Sequence, residues 1–189
     1  MNADLLVYQA KAFYNAYIAL DQLSRDDSDT LLLLFAPLVV NGAFSVELAL
    51  KAILAKNQIE YGKEHNLLIL FQMLPKSFQQ ELWAYLIEKA PEYAGSEKGL
   101  DELILLSNAF VDWRYAFEGK PVPAIESRFL EAFSNAAVHT MFSYYNADLL
   151  PATKAESNNE IEQRFHENRE KCKEINLKMI QKKTKEHQL

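Results

Sequence analysis

From Leu31 to Leu50 the chain carries a nearly continuous apolar run, and three polar residues, Asn41, Ser45 and Glu47, break it, with Lys51 one helical turn beyond. Roughly twenty apolar residues suffice to cross a bilayer as a helix. A charged side chain near mid-span, however, costs about 2.5–3.5 kcal/mol on insertion scales. The run therefore reads as the central helix of a water-soluble bundle, with a membrane span as the competing reading. Glu47 and Lys51 stand four residues apart and so share one helix face. Burying them is costly unless they find partners.

The rest of the chain fits a helical setting. Only 5 glycines and 6 prolines occur in 189 residues, too few turn formers for many short strands. Hydrophobic residues make up 49% of the chain, enough for a genuine core. Apolar residues at three- and four-residue steps predict helices over 3–23, 30–56, 65–74, 78–90, 100–117 and 126–149. Pro37 reads as a kink or an internal restart of the second. Gly119-Lys-Pro-Val-Pro123 separates the last two. The expected class is all-α, a bundle of about five or six helices, with no alternating strand pattern and no internal repeat.

Composition narrows function. Residues 1–151 hold 11 Lys and Arg against 19 Asp and Glu, a net of −8, whereas 152–189 hold 9 against 7, a net of +2. An acidic body repels phosphate backbones and argues against broad, non-specific nucleic-acid binding. The single cysteine, Cys172, excludes an intramolecular disulfide framework and a thiolate metal cluster. With an N-terminus that lacks a secretory pattern, it points to the cytoplasm. The expected organisation is a helical domain over 1–151 and a polar linker with an amphipathic helix over 152–189. In that segment Ile161, Phe165, Asn168, Cys172, Ile175 and Met179 mark a short heptad seam.

Few residues are placed to carry chemistry. His65 precedes the apolar segment Leu67–Leu74, where an imidazole can cap or bridge helices. Arg114 lies among Asp112, Trp113 and Tyr115, with Glu118 one turn on. A guanidinium beside aromatic rings either clamps a phosphate or anchors a carboxylate such as Glu47 or Glu118. His139, between Val138 and Met141, reads as a core histidine. Glu47, Lys51, His65, Arg114 and Tyr115 are the candidate polar cluster or ligand site. The sequence holds no phosphate-binding glycine loop, zinc motif, nucleophile elbow or dinucleotide fingerprint, and its 4 histidines have no metal-ligand spacing. No cofactor and no metal are expected.

Three motifs in order carry a family resemblance: Asn41…Ser45-x-Glu47-x-x-x-Lys51, then His65-x-Leu67-x-x-Leu70 leading to Leu74-Pro75, then Arg114-Tyr115 ahead of the last body helix. Over about residues 3–150 the chain resembles the HEPN superfamily of bacterial and archaeal helical domains. The resemblance implies an up-and-down helical core, often a homodimer, in toxin–antitoxin, phage-defence or nucleotidyltransferase-associated settings. Many members are metal-independent ribonucleases, marked by an Arg, four to six intervening residues and a His. None of Arg25, Arg114, Arg128, Arg164 and Arg169 has a histidine at that distance, and Arg114 meets Gly119-Lys120-Pro121 there. The expectation is thus a non-catalytic module that binds a nucleotide, RNA or a protein partner. The alternative is an endoribonuclease with an atypical pair, Arg114 with His65 or His139.

Overall fold

The computed structural model describes residues 3–25, 28–94, 97–115, 118 and 122–145, with the backbone alone for 28–32. Seven α-helices occur among the described residues: α1 (Ala3–Ser24), α2 (Ser28–Lys56), α3 (Leu67–Met73), α4 (Lys76–Lys89), α5 (Glu97–Leu106), α6 (Ala109–Arg114) and α7 (Ser127–Tyr145). A 3-10 turn, Pro91–Tyr93, follows α4, and no strand is present among those residues. The protein is an all-α bundle. The charged helix expected over 152–189 lies outside the described residues.

The apolar run forms the axis of the molecule. α2 packs against α1, α3, α6 and α7, and from Val46 to Leu54 every residue is buried. Its segment Leu33–Lys56 is long and apolar enough to cross a membrane by length and composition alone. Here it is the core helix of a bundle. Small residues let its neighbours approach. A Cβ on Gly42 would lie 3.0 Å from Leu130 of α7 and 3.1 Å from Tyr17 of α1, so glycine lets three helices meet closely there. The gain in packing offsets the roughly 0.5–1 kcal/mol that a mid-helix glycine costs. Stacked Phe44 and Phe110, 4.2 Å apart and inclined by 13°, join α2 to α6, and Phe13 of α1 meets Phe44 edge-on at 4.5 Å.

Pro37 neither ends nor restarts α2, which runs unbroken through it. Proline removes the donor that would reach the carbonyl of Leu33. Leu33 is 79% exposed, so water can serve that carbonyl. The helix ends in a Schellman turn: Ile59 N–H bonds Leu54 O and Gln58 N–H bonds Ala55 O, with Gln58 left-handed at φ 59°.

The helix expected over 100–117 is two. Ser107 turns its hydroxyl back onto Leu103 O at 2.7 Å and gives its carbonyl to Leu67 N–H at 2.9 Å. A serine that bonds its own helix weakens the next turn. Asn108 then starts α6, accepting from Val111 and Asp112. This junction holds the loop between α2 and α3, because Asn66 Nδ2 donates to Asn108 Oδ1 at 3.2 Å.

Candidate functional site

Three of the five cluster residues meet on the buried face of α2. Glu47 is 1% exposed and Lys51 7%. Lys51 Nζ donates to Glu47 Oε1 at 2.7 Å, the contact expected of an i,i+4 pair. His65 Nδ1 lies 2.9 Å from the same oxygen. The other carboxylate oxygen, Oε2, is buried and has no hydrogen-bond partner. Both donors thus converge on one atom.

The loop after α2 brings His65 there. Glu64 Oε1 accepts from the backbone N–H groups of His65 and Asn66 at 2.8 and 2.7 Å. Asn66 Oδ1 caps α3 by accepting from Ile69 N–H at 3.0 Å. Gly62, at φ 56°, supplies the left-handed turn that lets the loop fold back. Lys51 Nζ also lies 5.4 Å from the centre of the Tyr61 ring. Burial first, then the charge of Glu47, raises the Tyr61 phenol above its ordinary range. Next to the cluster, Ala55, Gln58, Ile59, Glu60, Tyr61 and Gly62 line an open groove of about 460 Å³.

The side chain of His65 is 51% exposed, although the carboxylate it faces is only 2% exposed. Nδ1 is the ring nitrogen on Glu47, and about half of the side chain faces solvent. An imidazole held by a buried carboxylate is a positioned acid–base group, and it serves equally as a structural bridge.

Arg114 and Tyr115 do not join this cluster. The expected Glu47–Arg114 bridge is absent: Oε1 takes Lys51 and His65, and Oε2 has no partner. Arg114 is exposed in the last turn of α6, where Nη2 donates to Tyr115 Oη at 3.1 Å. Its guanidinium lies 4.9 Å from the Phe110 ring centre and 4.7 Å from that of Tyr115. The physical reason is the aromatic contact between α2 and α6. The Phe44–Phe110 stack fills it, and Arg114 rests on Phe110. Arg114 and Tyr115 form a separate aromatic clamp.

His139 is not a core histidine. It is exposed on α7 and stacks on Tyr85 of α4, 3.9 Å between ring centres and 12° from parallel. Ser45 is buried and donates to Gly42 O at 2.7 Å, a helix-internal bond with no base beside it. Among the described residues no three His, Cys, Asp or Glu side chains converge as a metal site would require.

Sequence reasoning did not single out Tyr61 or Tyr85. The phenol of Tyr61 is four positions before His65, in a loop whose return toward α2 has no periodic signal. Tyr85 is 54 positions from His139, so only the packing of α4 on α7 pairs them.

Compared with known proteins, residues 38–128 match the model of the HEPN domain. That span contains Glu47, Lys51, His65, Arg114 and Tyr115, and it ends just inside α7. No curated protein and no solved structure matches the chain.

Proposed function

Starting from the HEPN domain at residues 38–128, which carries an RNA- or nucleotide-related reading, we propose that this chain is a cytoplasmic binding or interaction module. It engages RNA, a nucleotide or a protein partner, self-associates as a dimer, and serves a toxin–antitoxin or phage-defence setting without cutting RNA itself.

The observation that carries this reading is the burial of the Glu47–Lys51 ion pair, which commits the cation nearest His65. Lys51 and Glu47 are almost wholly buried and bonded to each other. A buried ammonium already committed to a carboxylate is not a free clamp for a scissile phosphate. Arg114, the cation that would be needed, stands apart from this cluster against Tyr115 and Phe110. The sequence also lacks the Arg-to-His spacing of the ribonuclease members.

One feature favours the second reading, an endoribonuclease. The Glu47–His65 contact resembles a carboxylate-oriented general base on a half-exposed ring. Incubating the full chain with mixed structured and single-stranded RNA in EDTA separates the two. The expected result is intact RNA. Cleavage abolished by His65→Ala or His139→Ala would replace the module reading with the enzymatic one.

A further inference from the structure

Tyr85 and His139 come from helices remote in sequence and stack in parallel at van der Waals distance. Tyr85 is half-buried and His139 exposed, so the tyrosine anchors the pair and the imidazole is its solvent-exposed member. Lys89 Nζ lies 5.1 Å from the Tyr85 ring centre, one turn along α4. Tyr14 of α1 is within electrostatic reach of Tyr85, and Asn135 of α7 is the hydrogen-bond partner of Tyr14. Burial chiefly raises the phenol of Tyr14, with Tyr85 and Glu131 adding to it and Asn135 opposing it. The patch offers an exposed imidazole ring backed by a phenol ring.

Its charge is balanced. Lys89 pairs with Glu88 at 2.9 Å, and Arg128 pairs with Glu92 and Glu131 at 3.3 and 3.2 Å. Neither cation is left over for a phosphate backbone, and the surrounding body is acidic. A surface with stacking capacity and no surplus positive charge engages a ligand through the face of a planar heterocycle and not through phosphate contacts. Duplex nucleic acid keeps its base faces internal, so the ligand must present an unpaired base.

We propose that His139, backed by Tyr85, is a stacking platform for an unpaired nucleobase, presented by single-stranded RNA or by a free nucleotide. The inference rests on the nucleotide- or RNA-binding branch of the proposed function and locates it on α4 and α7, away from the Glu47 cluster. Because stacking and not phosphate pairing supplies the affinity, binding depends only weakly on salt.

The test uses the full chain with AMP, ribose 5-phosphate, a labelled short oligoadenylate and the same strand in duplex. In proton–carbon NMR spectra, AMP should move the His139 ring signals upfield through the ring current of the base, and ribose 5-phosphate should leave them in place. Oligoadenylate should bind as the single strand and not as the duplex. His139→Ala and Tyr85→Leu should each weaken it about five-fold or more, and His139→Trp should restore it. Circular dichroism melts of each variant identify any that fail to fold, and His139→Ala, exposed in the native protein, decides the matter alone if Tyr85→Leu does. A response to AMP alone assigns the platform to free nucleotides, and one to both ligands assigns it to RNA ends or loops as well. Oligoadenylate binding that His139→Ala leaves unchanged, or equal shifts from AMP and ribose 5-phosphate, overturns the platform while the module reading stands. Failure of the wild-type chain to bind either base-bearing ligand overturns both the platform and the nucleic-acid branch.

Discussion

Glu47 shows how a buried charge constrains its surroundings. One oxygen accepts two donors, the other accepts none, and the side chain is 2% exposed. Taking away Lys51 leaves that charge nearly alone in the core, so Lys51→Met should destabilise by about 3–5 kcal/mol. Replacing both, as Glu47→Leu with Lys51→Met, should cost far less than the two single changes added together. Urea denaturation of the three variants measures this, and a wild-type midpoint for Lys51→Met would place the pair at the surface. Tyr145 supplies a pH response. Its hydroxyl donates to Ala52 O at 2.9 Å, and burial, reinforced by Asp4, pushes its phenol up to about 12. The unfolded chain ionises first, near the ordinary phenol value of about 10, and binds fewer protons than the native state from there upward. Stability should hold to roughly pH 10 and fall steadily as pH rises toward 12. Melting temperatures between pH 8 and 12 test the sign, and Tyr145→Phe should flatten part of the fall. Tyr14, Tyr17, Tyr61 and Tyr93, also raised by burial, add to it. At this scale the Glu47–Lys51 contact was legible, because four-residue spacing on a helix fixes it. The separation of Arg114 from Glu47 was not, because aromatic packing between α2 and α6 decides it.

Among the elements, α3 depends most on a single side chain. It has 7 residues, and a helix this short cannot offset the cost of its own nucleation. Asn66 caps it and also ties it to Asn108 at the start of α6. Asn66→Ala should therefore cost about 1 kcal/mol for the lost cap. Amide exchange should speed first in α3 and at Leu67, whose N–H reaches Ser107 O. Uniform exchange across the bundle would show that the cap acts only globally. The chain announces most of its helices by periodicity, yet it hides the break between α5 and α6. The apolar spacing continues across Ser107 and Asn108, and the break follows from the Leu67–Ser107 bond, which joins residues 40 positions apart. α2 presents the opposite case. Pro37 reads as an interruption in sequence, but a highly exposed Leu33 allows the helix to continue.

At the scale of the molecule, an apolar surface remains to be covered. Leu100, Ile104 and Leu105 of α5 and Ile69 of α3 are each more than 40% exposed. Exposed apolar groups grouped on neighbouring elements favour association. The full chain should run as a dimer at micromolar concentration, weakened but not abolished by deleting residues 152–189. Light scattering that finds a monomer at high concentration would remove self-association from the proposed function. What the sequence determined by itself is what short-range periodicity encodes: an all-α class, α2 as the buried axis and the Glu47–Lys51 pair; the likeness to the HEPN domain over 38–128 is likewise a property of the sequence. Side-chain recurrence every three to four residues settles local conformation and the buried face before any distant contact forms. Only the tertiary structure decided that His65 joins Glu47, that Arg114 turns to Phe110 and Tyr115, and that His139 lies outside the core against Tyr85. Such partners lie on different helices. Their meeting depends on how those helices pack around α2, and nothing within one turn of either residue specifies it.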